Sequence, residues 1–493
     1  MSLKRDALLG ITWTFADRWI SRVTRACVFI ILARLLSPED FGIVALASVC
    51  ISFIDIFVSQ GLGFAIIQKK DLSDQHLNTA FWIQFGLGSI IAGFVVVFSS
   101  AIANVMGEPR IGAVLKWLAF SLLISSLVRI QVALLTKKMR FDTLALRNLI
   151  ASIIGSAVGI TTAFMGFGVW SLVWKQLVEA VIGTLILWSV SGWHPRLQFS
   201  WSHFKDLYSY GIKVTADSIF LFGYRRVDDL FIGTFLGPTA LGYFSIAKQC
   251  VSIIQDTILN PIDAILLPLF SKMQNDTNQL LDTVRSVIRY SMAVAVPLLA
   301  IIAAFSTDAL SLIFGEKWVP AAIATSVLSV AAIFGISASV IHSTFHSVGK
   351  PGIPLISNIV RGILSSIVYY VVMSYGINGI AGGVLLCSFV IAMVDTWFFT
   401  KHFGLASVSI VFNDIIVFTS VVLVIVFVVT LGGNVAMRSI SHWLKCIIEI
   451  ATIGFGYLVY MFFFRRTMVV MVLDTTRSIL SKINIIPWPK SEF

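Results

Sequence analysis

Two similar stretches of sequence, about 200 positions apart, decide the fold. The first is Ala33-Arg34-Leu35-Leu36-Ser37-Pro38-Glu39-Asp40-Phe41-Gly42, and the second is Gly233-Thr234-Phe235-Leu236-Gly237-Pro238-Thr239-Ala240-Leu241-Gly242. The matched pairs are Leu36/Leu236, Pro38/Pro238, Gly42/Gly242, Ala47/Ala247 and Cys50/Cys250. Further short matches follow in the same order, with the offset drifting from 200 to 210. The chain is therefore expected to be an internal duplication with two related halves.

The composition indicates a membrane protein. Of the 493 residues, 57% are hydrophobic and only 12% are charged, and the mean hydropathy is +0.91. A soluble domain has roughly 25% charged residues, so this chain lacks the polar surface to face water on all sides. This excludes most soluble enzyme folds. The first apolar stretch is interrupted by charges and no small-residue cleavage site follows it, so we expect the first helix to be retained.

Long apolar runs bounded by Gly, Pro or charge predict fourteen transmembrane helices. They lie near residues 12–36, 41–66, 78–105, 112–135, 143–165, 168–190, 211–235, 240–268, 287–313, 321–347, 353–375, 379–400, 408–431 and 443–464. Each repeat unit holds six of them, an even number, so both halves enter the membrane in the same direction. The predicted fold class is an all-α polytopic protein with two six-helix lobes, related by a pseudo-two-fold axis along the membrane normal, plus two extra helices.

The predicted domains follow from these spans. They are an N-terminal lobe (1–190), a cytoplasmic linker (191–210), a C-terminal lobe (211–402), two additional helices (403–464) and a basic amphipathic tail (465–493). The loops after even-numbered spans contain Lys69, Lys70, Lys137, Lys138, Arg140, Arg196, Lys205, Lys272, Arg285, Lys350 and Lys401. Because cytoplasmic loops carry an excess of lysine and arginine, both termini are expected in the cytoplasm, and the basic tail is expected on the anionic leaflet.

The first predicted span carries three arginines on one helical face. Arg18, Arg22 and Arg25 are spaced i, i+4 and i+7. A cation at the bilayer centre costs roughly 2.5–3.5 kcal/mol even on the insertion scale, so this face must meet protein or water. A structural or interfacial role stays open. An anion-attracting cavity is favoured because only Asp17 and Asp55 are nearby acids, and because arginine suits bidentate phosphate contact.

The seventh span repeats this polar pattern, because Asp217 and Arg225 match Asp17 and Arg25 at the offset of 200. Structural pairing is the competing interpretation. In it, Asp228 and Asp229 pair with Arg225 and Arg226, and Lys213 pairs with Asp217 at i, i+4. The predicted substrate-binding residues are Arg18, Arg22, Arg25, Lys213, Asp217, Arg225 and Lys248.

Other polar residues are expected to have structural roles. The arginines expected to snorkel towards lipid headgroups are Arg129, Arg147 and Arg361. Lys175 is expected to pair with Glu179, and Asn260-Pro261 to interrupt the eighth span.

The sequence lacks the motifs of common enzymes and metal sites. Its five cysteines lie in apolar stretches with no CxxC, which argues against disulfide and zinc frameworks. There is no Walker loop, GxSxG or HExxH, and the outer loops are too short for an active-site domain. We therefore expect a non-enzyme without cofactors. Energy for transport would come from a gradient of H+ or Na+, or from downstream consumption of substrate.

Several motifs resemble the polysaccharide-transporter branch, including Wzx-type and colanic-acid-exporter-like proteins, of the multidrug/oligosaccharidyl-lipid/polysaccharide flippase superfamily. They are Leu32-Ala33-Arg34-Leu35-Leu36-Ser37-Pro38-Glu39-Asp40-Phe41-Gly42, Ala65-Ile66-Ile67-Gln68-Lys69-Lys70, Asn260-Pro261, Leu267-Pro268-Leu269-Phe270-Ser271 and Leu312-Ile313-Phe314-Gly315-Glu316-Lys317-Trp318. The resemblance covers roughly residues 1–405. It implies a two-lobed, alternating-access flippase of the bacterial inner membrane that translocates undecaprenyl-diphosphate-linked oligosaccharides. No individual site residue is assigned from this resemblance.

Two rival functions are weighed against this one. A multidrug or metabolite antiporter of the same superfamily would share the fold, but it would be expected to have an acidic cavity for cationic substrates. A membrane-embedded polysaccharide polymerase or ligase would need a substantial external loop. The expected partners are the lipid-linked oligosaccharide, membrane lipids, and the polysaccharide polymerase and export machinery. No nucleic acid is expected.

Overall fold

The computed structural model describes residues 24–350, 352–404, 420, 448–457 and 460, without the side chains of residues 224, 257–265 and 267–268. Within these residues every regular element is helical. Helices occupy the described part of thirteen of the fourteen predicted spans, and the predicted span 408–431 lies almost entirely outside the described residues.

The helices of the first part of the chain follow the predicted spans closely. They are α1 (24–35), α2 (Pro38–Ser59), α3 (Leu62–Gln68), α4 (Asp74–Val105), α5 (Arg110–Ser126), α6 (Arg129–Lys137), α7 (Phe141–Phe164) and α8 (Val169–Val190). The helix α9 (Trp201–Phe231) continues into a π-helical turn, Ile232–Leu236.

The helices of the remaining part are longer and less regular. They are α10 (Pro238–Lys272), α11 (Thr277–Ala304), α12 (Ser306–Phe314), α13 (Ala322–Ser347), α14 (Gly352–Val372), α15 (Gly376–Phe403) and α16 (448–457). Short 3-10 turns, Glu316–Ala321 and Met373–Tyr375, precede α13 and α15.

Seven helices in the described part are long and apolar enough to cross a membrane. One of these seven is the 52-residue run Gly352–Phe403, which covers two predicted spans, and the bent pair α5–α6 would be an eighth crossing. The helices α9 and α10 are not among the seven. They are the helices in which the sequence concentrates Lys213, Asp217, Arg225 and Lys248.

By packing, the chain divides into two compact units. The first comprises Met1–Lys248, Ala309–Ala324 and Asn358–Cys387, and the second comprises Gln249–Asp308, Thr325–Ser357 and Ser388–Phe493. In the first unit, α7 packs on α8 and α4 packs on α5. In the second, the Tyr457 hydroxyl of α16 donates a hydrogen bond of 2.9 Å to the carbonyl of Ala293 in α11. The lobe and linker boundaries derived from the repeat remain a prediction.

The two stretches that revealed the duplication contact each other reciprocally inside the first unit. A Cβ on Gly42 would overlap the carbonyl oxygen of Pro238, and a Cβ on Gly242 would overlap the carbonyl oxygen of Pro38. Only glycine permits this backbone approach. A two-fold axis passing between the two stretches would produce such a reciprocal contact.

Local sequence explains how α2 begins and how it ends. Ser37 accepts a hydrogen bond from the backbone NH of Asp40, and the Asp40 carboxylate accepts one from the NH of Ser37, which forms a capping box. Pro38 stands in the first turn, where its missing NH costs nothing. The helix ends at Gln60 and Gly61, which both have positive φ.

Three predicted span details are corrected by the structure. The predicted span 41–66 is divided into α2 and α3, because Gln60 and Gly61 take positive φ between them. The predicted span 112–135 is divided into α5 and α6, which are bent by 42°. The hydroxyls of Ser125 and Ser126 donate to the carbonyls one turn earlier, and such hydrogen bonds bend helices. The predicted interruption at Asn260-Pro261 is wrong, because α10 continues through both residues. A proline removes one backbone hydrogen bond, which a long helix can tolerate.

Candidate functional site

The most polar site within the first unit is an ion-pair cluster that joins α9 to α10. The Lys248 ammonium lies 2.9 Å from a carboxylate oxygen of Asp228 and 2.9 Å from one of Asp229. Arg226 binds the other oxygen of Asp229 at 3.0 Å. The Asp229 side chain is only 6% exposed, whereas that of Arg226 is 49% exposed. Two carboxylates and two cations thus form a neutral cluster that extends from the buried interior to the surface.

The two ion pairs of Lys248 weigh against its predicted role in binding an anionic substrate. An ammonium held between two carboxylates has little remaining attraction for an anionic substrate, because the cluster has no net charge. In the competing interpretation, Asp228 and Asp229 pair with Arg225 and Arg226. The structure shows pairing for Arg226 and places Lys248, rather than Arg225, as the second cation.

The other predicted binding residues do not form one constellation in the described part of the chain. Arg18 and Arg22 lie outside the described residues. Arg25 is exposed on α1, and Asp217 and Arg225 are exposed on α9. Their role in substrate binding remains a prediction.

Lys213 lies in a separate cleft between the end of α3 and the first half of α9. This cleft has a volume of about 290 Å³. Its polar lining residues are Gln68, Lys69, Asp206, Ser209, Tyr210 and Lys213. The Lys69 ammonium and the Asp206 carboxylate are 2.6 Å apart. Hydrogen bonds from Lys69 and then from His76 lower the pKa of Asp206 below its ordinary value, so this carboxylate is ionised.

Cation-to-carbonyl contacts that the sequence analysis missed join α1 to the end of α12, both in the first unit. The Arg34 guanidinium donates to the carbonyls of Leu312 and Ile313, in the last turn of α12. In return, the Lys317 ammonium donates to the carbonyls of Arg34 and Leu36, 2.8 and 2.6 Å away. Cations are favourable at helix C-termini, where carbonyls lack partners.

Aromatic packing closes the same region. Trp318 is fully buried, and its indole NH donates to the carbonyl of Ala33 at 2.8 Å. The ring of Trp318 packs edge-on against Phe41 and Tyr243, with centroids 5.5 and 6.1 Å apart. We call residues 33–42, 233–242 and 312–318 the junction. Two sequence signals marked it: the internal repeat at residues 33–42 and 233–242, and the family motifs at residues 32–42 and 312–318.

Other interior charges are paired rather than directed to lipid. Arg129 was expected to snorkel, but it forms an ion pair with Asp55. The guanidinium of Arg147 was also expected to snorkel, and it donates instead to the carbonyl of Gly183 at 3.2 Å. The predicted pair of Lys175 and Glu179 is confirmed at 3.1 Å. In the second unit, His342 and Asp395 lie 3.1 Å apart.

No group of three or more His, Cys, Asp or Glu residues among the described residues has the arrangement of a metal site. The cysteines described (Cys27, Cys50, Cys250 and Cys387) are free thiols.

The fold is that of a multi-pass, all-α membrane protein. The solved structure of the lipid II flippase MurJ, in an inward closed conformation, superposes with a TM-score of 0.75 at 14% sequence identity, covering 93% of this chain and 100% of that chain. The likeness confirms the predicted fold class.

The chain belongs to the family of polysaccharide biosynthesis proteins, whose family model matches residues 31–323. The succinoglycan biosynthesis transport protein ExoT of Rhizobium meliloti (strain 1021) is 25% identical over 288 residues, 58% of this chain and 58% of that protein. The lipopolysaccharide biosynthesis protein WzxC of Escherichia coli (strain K12) is 25% identical over 321 residues, 64% of this chain and 65% of that protein. The matched segment thus spans about three fifths of each relative. The resemblance stated from the motifs is confirmed.

Proposed function

We propose that the protein is a flippase that translocates undecaprenyl-diphosphate-linked oligosaccharide repeat units across a bacterial inner membrane, for exopolysaccharide, capsule or O-antigen synthesis. The observation that carries the proposal is the membership of residues 31–323 in the polysaccharide biosynthesis family. The fold supports it, because it is shared with a lipid II flippase.

Substrate chemistry suggests roles for the predicted binding residues. A lipid-linked oligosaccharide has an anionic diphosphate, a polar sugar portion and an apolar polyprenyl tail. Arg18, Arg22 and Arg25 receive the diphosphate, for which their guanidinium groups supply paired donors. Asp217 and Arg225 line the facing wall. The tail remains in lipid.

The junction is the closed end of the transport path in this proposal. By the predicted topology, residues 33–42 follow the first span and lie on the outer side, opposite the basic loops. Alternating access then requires the reciprocal contacts of Gly42 and Gly242 to separate when the substrate leaves. Both termini lie in the cytoplasm, and a H+ or Na+ gradient or consumption of the substrate drives the cycle.

In this proposal the protein has no catalytic role, and it acts together with the polysaccharide polymerase and export machinery. A multidrug or metabolite antiporter remains the second candidate. It is disfavoured because the carboxylates of the α9–α10 cluster, Asp228 and Asp229, are already paired with Lys248 and Arg226. A polymerase or ligase is the third candidate and has no supporting feature in the described residues.

The test is translocation in proteoliposomes of a fluorescent undecaprenyl-diphosphate oligosaccharide, normalised to folded protein. Arg25→Lys should impair translocation although it keeps the charge, because an ammonium cannot reproduce the guanidinium fork. Arg25→Ala should impair it more, and the triple Arg18/Arg22/Arg25→Ala variant should be inactive.

Arg140→Ala is the matched control. Its guanidinium is 51% exposed and lies 3.7 Å from the Asp142 carboxylate, on a loop that the proposal does not use. Arg140→Ala should retain wild-type translocation. Wild-type specific translocation by the triple variant would overturn the anion-binding role, whereas loss of folded protein in proportion to activity would indicate a structural role for the arginines.

A further inference from the structure

The cleft between α3 and α9 lies where the backbones of two elements meet closely. A Cβ on Gly61 would overlap the carbonyl of Gly211, and a Cβ on Gly211 would overlap that of Gln60. Glycines at both positions therefore let α3 pack directly on α9. On α9, Asp206, Tyr210 and Lys213 are spaced i, i+4 and i+7, so they share the face that meets α3.

The charges around this cleft leave an excess of positive charge. The Asp206 carboxylate is satisfied by Lys69 at 2.6 Å and by the His76 ring at 3.2 Å. Behind it, the Lys137 ammonium donates to the carbonyls of Ile66 and Lys69. Lys213 is exposed and forms no ion pair within the described residues. These three lysines outnumber the single carboxylate of Asp206, and Lys213 remains available to bind an anion.

The floor of the cleft is apolar. Ala65 and Leu207 line it, and both belong to the buried cluster that also contains Leu62 and Ile66. A polar rim above an apolar floor suits a charged headgroup.

Aromatic residues place this end of α9 at a membrane interface. Trp201, Tyr208 and Tyr210 are 57%, 36% and 40% exposed and lie within ten residues of one another. Tryptophan and tyrosine are enriched where the hydrocarbon meets the headgroups. The cleft is therefore at the depth of lipid phosphates.

We propose that this cleft binds the phosphate ester of a membrane lipid, with Lys213 and Lys69 as its cationic contacts and Tyr210 as a hydroxyl donor. The volume of about 290 Å³ accommodates a headgroup rather than an oligosaccharide. Basic pockets between helices are established as sites for anionic headgroups. The phosphate comes from an anionic phospholipid or from the diphosphate of a lipid-linked substrate. The proposal does not depend on flipping activity.

The experiment measures equilibrium binding to the purified full-length protein in detergent, with two probes. One is short-chain phosphatidylglycerol and the other is farnesyl diphosphate, and zwitterionic phosphatidylcholine is the reference. Lys213→Ala should weaken binding of the preferred probe about fivefold, the contribution of one lysine near a phosphate. Lys213→Arg should retain binding. Asp206→Asn should strengthen binding, because it removes the negative charge and releases Lys69.

The matched control is Lys138→Ala, an exposed lysine on the same loop side that lies outside the cleft. It should leave binding unchanged. If Lys213→Ala weakens the binding of phosphatidylglycerol, the site is assigned to phospholipid. If it weakens the binding of farnesyl diphosphate, the site is assigned to the lipid-linked substrate. Equal losses in Lys213→Ala and Lys138→Ala, or no loss with either probe, would overturn the proposal. Because transport is not measured, failure here leaves the proposed function intact, and failure of the transport assay leaves this site intact.

Discussion

The glycine contact at the junction gives the sharpest prediction about conformational change. In Gly42→Ala, the new Cβ would overlap the Pro238 carbonyl, and the two backbones would have to separate by more than about one ångström to relieve it. The obstacle is backbone, so no side-chain rotation can relieve it. Overpacking of this kind costs about 1–3 kcal/mol. The open form of the junction should therefore gain about 5- to 150-fold in population relative to the closed form.

The assay is thiol labelling of Ala33→Cys in a background without native cysteines, in detergent. Ala33 is fully buried under Trp318, so its thiol reacts only when the junction opens. Where opening is fast relative to labelling, the rate follows the open population. Gly42→Ala should raise the rate by the factor given above, and Gly242→Ala should do the same because the contact is reciprocal.

Gly63→Ala is the matched control, because a Cβ at Gly63 meets no atom within 4 Å. It should leave the labelling rate unchanged. If folded Gly42→Ala protein labels at the wild-type rate, then the junction is not a closed contact that limits access, and the reasoning is refuted.

Three further predictions concern charged residues. Lys248→Met should lower the free energy of unfolding by up to about 3–5 kcal/mol, and by less than this maximum because the lysine is 32% exposed. Asp229→Asn in the same chain should restore part of the lost stability, as read from melting temperatures. If Lys248→Met melts at the same temperature as the wild type, the pairing is contradicted. Arg34→Ala should raise the junction labelling rate by a smaller factor than the glycine substitution, because the lost hydrogen bonds are exposed. An unchanged rate would argue that the Arg34 hydrogen bonds do not hold the junction closed. The Arg110 hydrogen bond lowers the pKa of Glu108 below its ordinary value of 4.5, so Glu108→Gln should destabilise the protein above pH 4.5. The difference in stability between wild type and variant should vanish as the pH falls through the lowered pKa. A difference that grows in acid would contradict this prediction.

Membrane spans were predictable because a long apolar run has few alternatives to a helix. The predicted spans 143–165 and 321–347 differ by at most two residues from the helices Phe141–Phe164 and Ala322–Ser347. Polar turns that extend a helix beyond its apolar run were not predictable in the same way. The helix Thr277–Ala304 begins ten residues before its predicted span, because its first turns are polar and stand outside the apolar run.

The charged sites were predictable only in part. Spacing along one helix placed Lys213 and Asp217 on one face, but it could not give their tertiary partners. The pairing of Arg129 with Asp55 joins residues 74 positions apart, and that of Lys248 with Asp228 joins two helices. Such contacts depend on how helices pack, which hydrophobic patterning within one segment does not encode. The repeat identified Pro38 and Gly242 as members of the two matched stretches, but it did not predict that these stretches contact each other.

The central claim is that the protein translocates a diphosphate-linked oligosaccharide, and direct reconstitution tests it. Proteoliposomes would carry a fluorescent undecaprenyl-diphosphate oligosaccharide, and a membrane-impermeant quencher would report the fraction in the outer leaflet over time. An excess of a non-fluorescent analogue should slow the movement, whereas an excess of a cationic drug should leave it unchanged. Movement no faster than in empty liposomes, or competition by the cationic drug alone, would contradict the claim.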